Sequence, residues 1–136
     1  MFLVDTNVWL ERLLNQERSE EVGRFLAEVP SSRLFLTDFT LHSLGVILTR
    51  LKKPEALLLF VRDLFIEGEV GLLGLRPQEM EHIIVTMERY HLDFDDAYQY
   101  AVAEKHDLTI VSFDCDFDRT ERGRKTPKEV LRVSEA

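Results

Sequence analysis

The sequence predicts an α/β fold, with a mostly parallel sheet covered by helices on both faces. Three observations carry this reading. Short apolar runs alternate with helical stretches along the whole chain. Pro, Ser and helix-capping residues fall at the junctions between them. The 136 residues, 45% hydrophobic and 31% charged, suit one domain spanning positions 1–136, with an apolar core and a solvated surface.

In chain order, Phe2 to Val4 reads as a short buried strand that stops at Asp5. A helix follows from about Val8 to Leu14, and another from Ser19 to Val29, with Glu20 and Glu21 complementing the dipole of its first turn. Pro30, Ser31 and Ser32 end it, and Arg33 to Thr37 forms the second strand. Asp38 is the expected N-cap of a helix reaching Arg50. Pro54 opens the next helix, to about Glu67, whose ALLLFVRDLFI stretch is apolar on more than one face. Val70 to Leu75 is a strand interrupted by glycines, and Pro77 starts a helix ending near Tyr90. Asp95 to His106 is helical, and Leu108 to Ser112 is a fourth strand leading into FDCDFD. The C-terminus has two readings: a last strand over Val130 to Val133, or a helical turn opened by the capping box Thr126 to Glu129.

The formal charge of −8, from 17 basic and 25 acidic residues, argues against a protein that gathers nucleic acid by its overall field. It leaves room for an enzyme whose acids are concentrated at a cation. The single cysteine, Cys115, rules out an internal disulfide and fits a reducing compartment. MFLVDTNVW has neither a basic leader nor a signal-length apolar run, and no window approaches the ~20 apolar residues of a membrane span. The expectation is a soluble cytoplasmic protein. The four histidines show no HxxxH or HExxH spacing, which counts against zinc.

Ligands of parallel sheets gather at the carboxyl ends of strands, where the strand order reverses. Asp5 ends the first strand, Asp114 and Asp116 follow the fourth, and Asp96 lies at a helix start. Three segments thus deliver carboxylates to one sheet edge. Crowded carboxylates repel one another, and a divalent cation relieves this; oxygen ligands select Mg²⁺ or Mn²⁺.

VDTNVWL, LDFDDAYQYAVAE and LTIVSFDCDFD, in that order, resemble the signature stretches of the PIN-domain family, and the likeness extends over essentially the whole chain. The resemblance implies a three-layer α/β/α sandwich and metal-dependent cleavage of RNA, as in VapC-like toxins of toxin–antitoxin pairs. It implies Asp5, Asp96 and Asp114 as catalytic residues and metal ligands, with Asp116 as a further ligand, and Thr6, Asn7 and Ser112 as supports. It also implies an RNA substrate and a small antitoxin partner.

The chain departs from the family at the helix after the second strand. The usual Glu is replaced by Ser43, in Leu41-His42-Ser43-Leu44. Either water fills the position, or Asp38 or Glu11 is recruited, or activity is weakened, leaving a domain that binds RNA or protein without cutting. Two more features stand out. Arg119, Arg122, Arg124 and Lys125 form a basic run that is either solvated surface or a phosphate contact. The apolar helices between Leu44 and Ile66 suggest a homodimer.

Overall fold

The computed structural model describes residues 1–135; Ala136, the last residue of the expected domain, lies outside them. Four strands, β1 (Phe2–Val4), β2 (Leu34–Thr37), β3 (Gly71–Leu73) and β4 (Thr109–Val111), form one sheet in the order β3-β2-β1-β4, and every pairing is parallel. Seven helices surround it: α1 (Thr6–Leu13), α2 (Ser19–Glu28), α3 (Asp38–Arg50), α4 (Pro54–Val61), α5 (Met80–Tyr90), α6 (Phe94–His106) and α7 (Pro127–Glu135). The result is the three-layer α/β/α arrangement.

The two-residue period of the strands divides the core. Val4 and Val111 point to one face, where they join Trp9, Phe25, Leu44, Phe60 and Leu131 from α1, α2, α3, α4 and α7. Their neighbours Leu3 and Ile110 point the other way, into Ile83, Tyr100, Val102 and Phe117 under α5 and α6. Trp9 is a core residue: its indole N–H donates to the Val4 carbonyl at 3.2 Å, and its ring meets Phe60 edge-on. Gly71 lets β3 lie against the Phe35 ring, where an added Cβ would come within 2.5 Å of the aromatic carbon.

Several element boundaries differ from the sequence expectation, each for a local reason. The first helix begins at Thr6, because the Asp5 side chain caps it. Thr37, not Asp38, caps α3: its Oγ1 accepts from the Thr40 N–H at 3.0 Å. Asp93 caps α6, accepting from the Asp96 N–H at 2.9 Å, so that helix starts at Phe94. The helix after Pro54 changes pitch at Arg62, and Arg62–Ile66 forms a wider π-type turn. Pro77–Glu79 is a 3-10 turn leading into α5. At the C-terminus the strand reading fails. Thr126 and Glu129 exchange reciprocal capping bonds of 3.1 and 3.2 Å, and α7 begins there.

Candidate functional site

The chain runs outward from β1 to β2 to β3, then returns to place β4 on the other side of β1. The crevice beyond the carboxyl ends of β1 and β4 is therefore the switch point of the sheet. Asp5 stands there. Its backbone N–H extends the ladder by donating to the Val111 carbonyl at 2.9 Å, and the residue is only 7% exposed.

Four groups converge on that carboxylate. Oδ1 accepts from the Thr6 N–H at 2.8 Å and from Gln99 Nε2 at 3.1 Å. Oδ2 accepts from the Ser112 hydroxyl at 2.8 Å and, at 3.4 Å, from Asn7 Nδ2. Asn7 also donates to Ser112 Oγ and accepts from the Phe113 N–H, which ties the end of β4 to the start of α1. Ser112 Oγ accepts from the Asp114 N–H at 2.9 Å, and Asp114 Oδ1 from the Asp116 N–H at 2.8 Å. Thr6 bonds Thr40 through the two hydroxyls at 2.9 Å. Asp5, Thr6, Asn7, Ser112 and Asp114 are thus one hydrogen-bonded unit.

Asp96, 9% exposed, comes to the same place from α6. Burial, then the charges of Asp114, Asp93 and Asp5, raise its carboxyl from the ordinary 3.8 to about 8, and it shares a hydrogen bond with the Asp114 carboxyl. Burial also raises Asp5, against the pull of its donors, with a further push from Asp114. Asp5, Asp96 and Asp114 are therefore close enough to act on one another, and the negative charge there lacks compensation. Asp116 lies beside Asp114 with its charge met by Arg119 at 3.2 Å.

Alongside lies a cleft of about 250 Å³ between α3 and α6, lined by Asp5, Thr6, Phe39, Ser43, Ile47, Asp95, Asp96 and Gln99. Ser43 lines it. The two acids considered as substitutes do not. Asp38 is held by the Tyr98 hydroxyl and the Phe39 N–H, both at 2.8 Å, and Glu11 accepts from the Arg18 N–H at 3.1 Å. Sequence reasoning passed over Gln99, Thr40 and Asp95. Gln99 sits one turn beyond Asp96, on the face that Asp96 already defines, and that spacing is the signal that would have found it.

The basic run is largely spent on structure. Arg122 pairs with Asp107 at 2.9 Å and donates to the Leu108 carbonyl. Arg124 makes a two-pronged bond to Asp118 and also donates to the Ser112 carbonyl. The Lys125 backbone bonds Ile110 and Ser112, and Lys125 lines a different hollow, with Phe2, Glu28 and Arg33. Arg119 stays beside the carboxylates, although it also donates to the Tyr90 and His91 carbonyls.

The oxygen-only donor set of Asp5, Asp96 and Asp114, in which burial and crowding make the Asp5 and Asp96 carboxyls resist ionisation, fits a hard divalent cation. The PIN-domain family model matches residues 2–123. The chain belongs to the PIN-domain family. Solved structures agree in fold. A toxin–antitoxin complex from Klebsiella pneumoniae has a TM-score of 0.74 at 20% identity, covering 95% of this chain and 99% of that one. VapC20 of Mycobacterium tuberculosis, a sarcin-ricin loop cleaving toxin, has a TM-score of 0.72 at 20% identity, covering 87% and 93%. FitAcB of Neisseria gonorrhoeae has a TM-score of 0.71 at 23% identity, covering 93% and 98%. No curated protein matches the sequence. Among the described residues, no helix is long and apolar enough to cross a membrane.

Proposed function

We propose that this PIN-domain chain is a divalent-metal-dependent endoribonuclease and the toxin of a toxin–antitoxin pair, acting in the cytoplasm. The observation that carries the reading is the meeting of Asp5, Asp96 and Asp114 at the switch point of the sheet. Those three hold Mg²⁺ or Mn²⁺, with Asp116 as a further or water-mediated ligand. The bound cation supplies charge neutralisation at the phosphate and lowers the pKa of a water molecule. The protein's own groups set the geometry. Ser112, Asn7, Gln99 and the Thr6 N–H fix both oxygens of Asp5, so its orientation is set before any ligand arrives. Asp96 holds a proton against Asp114 that it releases when positive charge enters the site.

The substrate class is RNA with unpaired bases, where backbone and base edges are accessible. With a net charge of −8, the protein draws phosphate to the metal site and not to its surface at large. Of the basic run, Arg119 is the member placed to meet a phosphate beside the carboxylates. The likeness to the toxin–antitoxin complex from Klebsiella pneumoniae supports a small antitoxin as partner. Leu58 and Ile66, 68% and 74% exposed on α4 and the turn after it, support a homodimer formed through that surface.

The test is cleavage of a mixed RNA pool in Mn²⁺ and in excess chelator. Chelator should abolish cleavage. Asp5→Asn, which keeps the shape and removes the charge, should lower the rate by about 100-fold or more, beyond the loss typical of a metal's outer partners. Full activity in chelator, or in Asp5→Asn, would exclude the mechanism. Ser43 favours a second reading, a domain that binds RNA or protein without cutting. That reading takes over if neither wild type nor Ser43→Glu cuts any RNA.

A further inference from the structure

The cleft beside Asp5 has two unlike walls. From α3 come Phe39, Ser43 and Ile47, with no charge among them. From α6 come Asp95, Asp96 and Gln99, and among the described residues no Lys or Arg lines the cleft. Asp95 and Gln99 are four apart on the helix and so share a face.

Gln99 is 2% exposed. Its Nε2 is fixed by two acceptors, Asp5 Oδ1 at 3.1 Å and Thr40 Oγ1 at 2.8 Å. Turning the amide over would set its oxygen against the Asp5 carboxylate, so the orientation follows from the network. Its Oε1 is then buried without a hydrogen-bond partner, the single side-chain atom in that condition among the described residues. A buried carbonyl is normally paired, and one left unpaired beside a cleft signals a group that arrives from outside. One turn away, the Asp95 carboxyl forms no hydrogen bond or ion pair among the described residues. Both groups offer oxygen on the α6 side of a cleft that Asp5 and Asp96 also line. A cation satisfies all of them; an anion or another acceptor satisfies none.

We propose that Asp95, with the Gln99 carbonyl beside it, completes the cation site from the α6 wall, supplying the oxygen ligands that Ser43 does not provide from α3. This rests on the metal-dependent reading above. The carboxylate lost from one wall is returned from the other, directly or through a bound water.

The test reads Mn²⁺ binding to the full chain by calorimetry and by the loss of the free-ion paramagnetic resonance signal, with no RNA present. Wild type should bind, and Asp5→Asn should not. Asp95→Asn, at an exposed position that the fold tolerates, should weaken binding about ten-fold or more. Gln99→Met should shift it in the same direction. Ser43→Glu placed in the Asp95→Asn background should recover most of the loss, because it restores a carboxylate on the facing wall. If Asp95→Asn binds as wild type while Asp5→Asn does not, this assignment is overturned and the metal reading stands. A double variant as weak as Asp95→Asn alone also overturns it. Wild type that takes up no Mn²⁺ removes both.

Discussion

The acidic cleft and the outer face of α4 are both unfinished, in opposite ways. At the cleft, the buried carboxyls of Asp5 and Asp96 crowd against half-buried Asp114, and the folded chain holds too much negative charge in too little water. On α4 the excess is apolar: Leu58, Leu59 and the nearby Ile66 stand in solvent although the helix buries Phe60 beneath them. The first excess destabilises the fold strongly and is relieved by protons or a cation. The second destabilises it little, because exposed apolar area is common, and is relieved by another protein surface. The two regions therefore respond to different perturbations.

The largest effect is expected at Asp96. Its folded value of about 8 lies above the ordinary 3.8. Between those two pH values the folded chain keeps a proton that the unfolded chain has released. The contribution to stability is therefore present at low pH, falls as pH rises through that window, and levels off above about 8. Asp96→Asn removes the charge and the slope with it. In urea unfolding at pH 8 the variant should exceed wild type by on the order of a few kcal/mol, and near pH 4 the two should converge. A variant less stable than wild type at pH 8 would mean that the Asp96 carboxylate is not under strain.

Next in size is the response to the ion itself. Mn²⁺ at a hundred times its dissociation constant should raise unfolding stability by about 2.7 kcal/mol. Because it competes with the proton held by Asp96, the rise in melting temperature at a fixed Mn²⁺ concentration should be larger at pH 8 than at pH 6. Equal shifts at both would detach ion binding from the carboxylates.

The same contrast explains what could be read from the sequence. The strands and the parallel sheet were legible because each shows in local pattern: an apolar run, a stop, an Asp at the strand end. Helix ends were less so. His91 and Asp107 close α5 and α6 in the left-handed conformation without the glycine that would announce it. Caps were displaced by one or two residues wherever acids or hydroxyls stood side by side, as with Thr37 and Asp38, or Asp93 and Asp95. Gln99 shows in the sequence only as a helix neighbour of Asp96; its bonds to Asp5 and Thr40, 94 and 59 residues away, do not show there. The basic run was ambiguous for the same reason. Whether Arg122 and Arg124 are free for phosphate depends on Asp107 and Asp118, which fold against them.

The smallest effect on the fold, and the sharpest test of the comparison, lies on α4. Leu58 and Ile66 bury little of themselves in this chain, so Leu58→Lys and Ile66→Lys remove few internal contacts. Surface changes of this kind alter stability by about 0.5 kcal/mol or less. If the face is covered by a second copy, a charge placed on it must be desolvated when the copies meet, and association weakens far more than folding does. Light scattering should then give a dimer mass for wild type and a monomer mass for the double variant, with the unfolding midpoint at low protein concentration nearly unchanged and Mn²⁺ binding intact. A wild type that stays monomeric at high concentration would break the comparison on this side. It would leave α4 as ordinary exposed apolar surface, and the carboxylate cleft as the one of the two regions that needs something from outside.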